Sequence, residues 1–218
     1  MKNRLIIGVT LILLFTTFIS QKKISVNKFK VQEIKFENNK ILKEFELIED
    51  LSFLYNKSMI FLNSYEIKKK IEKKSFIKRL EVKKIYPNKL IIRIFEKEPI
   101  AILIDKNKKF FIGKKYDLIE YKKIPKYKNL PTIFGDQENF QSLITNLKKI
   151  SFPLENIQKY FLLSSNRWDI QMKDKKIIKL PVKNYNSSLK NFLKINKNKN
   201  FDKYKIFDYR LNNQLILK

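Results

Sequence analysis

From Leu5 to Ile19 the chain runs fifteen residues without a charge (LIIGVTLILLFTTFI), after Lys2 and Arg4 and before Gln21, Lys22 and Lys23. Such a run reads as a membrane segment, and it divides the chain before any other feature is considered. As a helix it is about 22 Å long, against roughly 30 Å of hydrocarbon. Snorkelling by Lys22 and local bilayer thinning absorb the difference. A secretory signal peptide shares the basic start and apolar core but ends in small residues before its cleavage site. Phe18-Ile19-Ser20 places a bulky ring there instead. Residues 5–22 are therefore expected to form an uncleaved transmembrane signal anchor, with 1–4 as a cytoplasmic tail and 23–30 as a basic linker. Charge alone leaves the orientation open. Lys2 and Arg4 favour a cytoplasmic N-terminus, whereas Lys22, Lys23, Lys28 and Lys30 favour the reverse, and a long folded domain translocates largely regardless of charge.

The whole chain of 218 residues is 44% hydrophobic, enough for one large or two small cores. With no Cys and no His, the chain has no disulfide, no Cys/His zinc site, and no Cys nucleophile or imidazole base. Gly8, Gly113 and Gly135 are its only glycines and lie too far apart for a P-loop or dinucleotide fingerprint. No catalytic residue, cofactor or metal ligand is expected. The net charge of +27 suggests a polyanion or an anionic membrane surface. Yet 43 of the 48 basic residues are Lys, where phosphate recognition favours the Arg fork. The accompanying wealth of Ile, Asn, Phe and Tyr matches A/T-rich codons. A basic, membrane-anchored nucleic-acid-binding protein stands as the alternative; it needs the opposite topology and a steep salt dependence.

Val31, Ile34 and Phe36 predict a strand ending in a left-handed turn at Asn38-Asn39. Leu47, Ile48, Leu51, Leu54 and Tyr55 recur at helical spacing. Asn63, with Glu66 three residues on, caps a second helix carrying Ile67 and Ile71. Leu80 and Val82, the turn Tyr86-Pro87-Asn88-Lys89, and Leu90, Ile92 and Ile94 form a hairpin. The order β-α-α-β-β makes a small α+β unit. Beyond Pro99, strands are expected at 100–104, 110–112, 117–121, 160–163, 168–172, 177–180, 206–209 and 215–217. Helices are expected around Phe140–Ile150 and Leu189–Leu193. The fold class is α+β: an N-terminal membrane helix, the β-α-α-β-β unit, and a mostly antiparallel β domain with flanking helices.

Four patterns are similar to those of the FtsQ/DivIB family of bacterial cell-division proteins. They are Phe76–Val82 running into Ile85–Ile92; Glu96-Lys97-Glu98-Pro99-Ile100-Ala101; Leu130–Gly135; and Arg167-Trp168-Asp169-Ile170 continuing to Ile177–Pro181. The resemblance implies a single-span inner-membrane protein, with a polypeptide-transport-associated (POTRA) domain at 31–96 and a β domain at 97–218 on the periplasmic side, found at the septum. It implies a non-enzymatic divisome scaffold that links early and late division proteins. Its partners would be an FtsB/FtsL-like pair and other membrane proteins of the divisome, with no nucleic acid and no small-molecule substrate. The pair would bind by adding a strand to the C-terminal edge, assigned to Arg210, Leu211, Asn213, Leu215 and Leu217. Glu96, Pro99 and Ala101 mark the domain junction. The family's Gly after the first strand is replaced by Asn38-Asn39, and the chain stops at Lys218, short of the aromatic tail some members carry.

Other residues have simpler roles. Trp168, alternating with Ile170 and Met172, is expected in the core. Arg210 beside Asp208 is either a local ion pair or a device that orients the edge. Glu96 and Glu98 are expected to be a solvated hinge rather than a paired-carboxylate site.

Overall fold

The computed structural model of the protein describes residues 2–17, 26–211 and 214–218. Helix α1 (Lys2–Thr17) is exposed along Leu5–Leu14. At sixteen residues it is about 24 Å long, and no helix among the described residues is long and apolar enough to cross a membrane. The rest of the expected span, 18–22, lies outside the described residues, as do 23–25 of the expected linker. The remainder of that linker is structured: Val26–Phe29 form a 3-10 turn, and Lys30 makes an isolated bridge to Ser58.

Strand β1 (Glu33–Glu37) alternates exposed and buried residues and ends at Asn38, whose φ of 65° is the left-handed turn expected there. Helix α2 (Glu44–Leu51) buries Leu47 and Leu51, and the chain then tightens into a 3-10 turn that buries Leu54. Asn63 caps α3 (Ser64–Ile71), its side chain accepting the Tyr65 N–H. Ile67 and Ile71 face inward. Strands β2 (Ile77–Ile85) and β3 (Lys89–Glu96) are an antiparallel hairpin, and β1 pairs with β3 in parallel to give the order β1-β3-β2.

The second sheet has nine strands in the order β12-β11-β10-β9-β8-β7-β4-β5-β6. They are β4 (Pro99–Asp105), β5 (Lys108–Gly113), β6 (Leu118–Glu120), β7 (Thr132–Phe134), β8 (Ile157–Leu162), β9 (Trp168–Met172), β10 (Ile177–Lys179), β11 (Ile206–Asp208) and β12 (Ile216–Leu217). Strand β7 was not expected: two prolines nearby and only three residues make it look like loop. It pairs in parallel with both β4 and β8, and β10 is parallel to β11. The sheet is therefore mixed, with the other five pairings antiparallel.

Its two faces differ. Leu103, Ile133, Tyr160, Ile170, Ile178 and Phe207 form one cross-strand row, buried under α4 (Gln137–Lys149) and α5 (Tyr185–Ile195). Trp168 and Met172 are buried as expected. The opposite face meets the three-stranded unit at its β5–β6 end. Phe111 and Ile119 there belong to the core of the three-stranded unit, with the Phe111 ring 6.0 Å from Phe76 and 5.7 Å from Tyr127. Residues beyond Pro99 thus pack onto the first core.

Candidate partner-binding edge

A strand at the end of a sheet presents backbone donors and acceptors that another chain can pair with. The nine-stranded sheet has two such ends, and the sequence finishes them differently. At β6, the pair Gly113–Asp117 is hydrogen-bonded, with Gly113 N–H donating to Asp117 at 2.9 Å. The alternation of an antiparallel ladder then turns Glu120 outward. Its N–H donates to Ser75 Oγ at 2.9 Å, so the three-stranded unit caps this edge.

At β12, Ile206 and Lys218 exchange both bonds, at 2.9 and 3.1 Å. Two residues on, Asp208 and Ile216 form the next bonded pair, and Phe207–Leu217 between them does not. The N–H and C=O of Leu217, and by the same alternation those of Leu215, therefore point away from β11. Their side chains pack against the core, whereas Ile216 is 39% exposed on the opposite face. Backbone capacity and an apolar side chain are offered together at this edge.

Asp208 and Arg210 brace it. Asp208 is buried, and Arg210 Nε donates to both carboxylate oxygens, at 2.8 and 2.9 Å. Arg210 Nη2 donates to Oδ2 at 2.5 Å, and the Arg210 backbone N–H adds a fourth bond, to Oδ1, at 3.1 Å. These hydrogen bonds hold the Asp208 carboxyl below the usual carboxylate range, against the opposing effect of burial. The pair joins residues two apart in one segment, and a bidentate fork on a buried carboxylate is more than an exposed surface pair. Across the sheet, Asp208 stands opposite Lys179, and Lys179 opposite Asp169. Burial pushes the Asp169 carboxyl up, with Arg167 pulling the other way. Tyr209, next in line, donates its hydroxyl to Asn191 Oδ1 at 2.9 Å and so ties the end of β11 to α5. The same face continues inward to Phe134 and Phe161, stacked at 4.9 Å.

Of the residues assigned to partner binding, Leu215 and Leu217 lie at this edge and Arg210 beside it. Leu211 sits exposed in a bend, its carbonyl accepting the Gln214 N–H at 3.3 Å, so it does not lengthen the strand. Asn213 lies outside the described residues.

At the junction, Pro99 and Ala101 are buried in β4. Glu96 is not the solvated hinge residue expected. Its Oε1 accepts the N–H groups of Ile41 and Leu42, at 2.8 and 2.9 Å, and pins the loop after β1 to the end of β3. Only Glu98 is exposed, paired with Lys114. Nothing local signals the Glu96 clamp, because its partners are more than fifty residues away. Lys176, buried and bonded to Asn196 at 2.7 Å and Asp202 at 3.0 Å, is likewise set by non-local partners, 20 and 26 residues along the chain.

A family model described as the FtsQ-type POTRA domain matches residues 29–97, and one for the C-terminal region of the cell division proteins FtsQ/DivIB matches 101–210. Among curated relatives, the cell division protein FtsQ of Rickettsia typhi is 28% identical over 193 residues, and that of Rickettsia bellii 29% over 194. Each alignment covers 87% of this chain and 72% of the relative. A solved structure of the major extracytoplasmic domain of DivIB from Geobacillus stearothermophilus aligns with 46% of this chain and 92% of its own, at 15% identity and a TM-score of 0.33.

Proposed function

The chain belongs to the FtsQ/DivIB family of cell division proteins, and from that premise we propose that it is a single-span envelope scaffold whose β12 edge captures an FtsB/FtsL-like pair by strand addition. The coarser role, a cell division scaffold, follows from the family. The finer one rests on the edge itself: among the described residues β12 is open where β6 is capped, and Leu215 and Leu217 turn their backbone groups outward while their side chains stay in the core. An added strand forms main-chain bonds there, and the exposed Ile216 with the Asp208–Arg210 brace beside it supplies specificity.

In this proposal residues 5–22, which include most of α1, are the anchor. Residues 31–96 form a POTRA domain and 97–218 the partner-binding domain, both outside the cytoplasm. Links to other divisome proteins, and between early and late ones, run through these two domains. Deleting Leu215–Lys218 removes the short pairing with Ile206, Phe207 and Asp208 and leaves the other strands of the sheet in place. The truncated chain is expected to fold and insert but to lose pull-down of the partner pair. Retained pull-down would overturn the edge mechanism. A reporter active only outside the cytoplasm, fused at Lys218, checks the topology and is expected to be active.

A further inference from the structure

We infer that the pole of the POTRA unit formed by the α2–α3 loop and the β2–β3 turn lies in the headgroup layer of the bilayer that holds α1, and that it takes anionic phospholipid. This rests on the proposal that α1 is a membrane anchor.

Phe61 is the most exposed large apolar side chain of the described residues, at 86%, beside Ile60 at 53%. The protrusion is built. Met59 before it and Leu62 after it are buried, so the chain is pinned on both sides with Ile60-Phe61 held outward. Met59 N–H donates to the Phe29 carbonyl at 2.7 Å, and Lys84 Nζ donates to the Leu62 carbonyl at 2.8 Å. Tyr65, 65% exposed, begins α3 just beyond. Tyr86, 54% exposed at the hairpin turn, has its ring 6.3 Å from Phe29. The Ile60-Phe61 pair and Tyr86 are thus both tied to Phe29, and Tyr65 follows along the chain.

Their position in the molecule points to the bilayer. The hairpin β2–β3 is nine residues long on its first strand, roughly 30 Å. The nine-stranded sheet joins it at the Glu96 end, so the patch occupies the far end. That far end is also where the chain arrives from α1. Between Thr17 and Val26 there are nine residue steps, a reach of about 31 Å at most, which keeps the pole close to the surface in which α1 sits. The side chains suit that depth, since Tyr seats an apolar ring with its hydroxyl in the headgroups. Lys28, Lys57 and Lys83 are exposed around the patch and can reach lipid phosphates while their stems lie along apolar surface. Of the nearby carboxylates, Glu33 is matched by Lys89 and Glu81 by Arg79 and Arg93; Glu66, exposed beside Tyr65, is the one acidic group at this pole without an ion pair among the described residues, against the three lysines.

The test uses the full chain in vesicles of phosphatidylcholine with or without phosphatidylglycerol, carrying Phe61→Trp and, separately, Tyr86→Trp. Both sites are exposed, so the fold is unaffected, and buried Trp168 in the unsubstituted chain sets the baseline. The new Trp is expected to emit at shorter wavelength, to resist aqueous acrylamide, and to be quenched by lipids brominated near the headgroup. Each effect should grow with phosphatidylglycerol. If the protein floats with the vesicles but the new Trp stays open to acrylamide and untouched by brominated lipid, the docking inference is wrong and the anchor stands. Burial that instead tracks the protein-to-lipid ratio, without quenching by brominated lipid, assigns the patch to a second copy and also overturns it. Failure to float with the vesicles at all overturns both.

Discussion

Replacing Leu217 with proline separates the backbone of the edge from its side chain. Leu217 sits at a position where its N–H points away from β11, because the bonded pairs are Ile206–Lys218 and Asp208–Ile216. Proline there breaks no bond within the protein, yet it removes the donor an added strand needs and places ring atoms in the strand's path. The partner's carbonyl is then left unsatisfied at a cost of about 1–3 kcal/mol, which weakens binding by about 5- to 150-fold. Leu217→Ala is the control: it keeps the N–H and loses the same half-buried packing, so it should share the stability change, on the order of 1–2 kcal/mol. Ile216→Pro removes a donor that faces β11, costs about 1 kcal/mol, and frays a strand held by only two pairs. Titrating each variant against the purified partner pair, beside urea unfolding of each, gives the comparison. Strand addition requires that Leu217→Pro bind far more weakly than Leu217→Ala at equal stability. Equal affinities for the two would refute the reasoning, because they would show that the outward N–H is not used.

Glu96→Ala leaves two backbone N–H groups, of Ile41 and the buried Leu42, without their acceptor; a loss of about 2–3 kcal/mol in urea unfolding is expected, with Glu96→Gln, which still accepts, losing less than half of that. The Asp208 carboxyl is depressed in the folded state, so its stabilisation is present above the unfolded value of about 4 and is lost as pH falls through the folded one. Thermal unfolding across the acid range should therefore show a steep loss in the native chain and a shallower one in Asp208→Asn; Asp169, raised by burial, acts with the opposite sign, and its replacement by Asn should steepen the acid loss. Gly135→Ala brings a Cβ to 2.7 Å from Leu162 Cβ in the adjacent strand and is expected to cost about 2 kcal/mol, measured by the same urea assay.

Local chemistry made most elements legible. Asn38 supplies the left-handed turn, Asn63 caps its helix, and the period-two run Leu90, Ile92, Ile94 is fully buried. What was hidden was non-local. Strand β7 is held by neighbours on both sides rather than by its own three residues, and nothing in the run Leu130–Gly135 gives the period from which a strand is read. Glu96 looks like any charged residue beside a proline until the loop at Ile41 folds onto it.

The candidate edge shows the same division. Its location was readable, since Leu215 and Leu217 alternate at the end of the chain, but its length was not. Alternation says which side chains share a face; pairing depends on how many backbone groups the neighbour offers, and β11 offers three residues before Tyr209 turns to α5. A terminal strand held by two pairs contributes little to the fold on its own. A partner strand laid along Leu215–Leu217 would form bonds on the side β11 cannot reach, and β12 would become an interior strand of a ten-stranded sheet. Binding and ordering of this edge are then linked by mass action. Hydrogen exchange at Ile216 and Lys218, whose N–H groups already face β11, should slow when the partner pair is added, although neither amide bonds to it directly. Unchanged exchange at both, with the partner bound, would mean that the pair docks elsewhere on the open face.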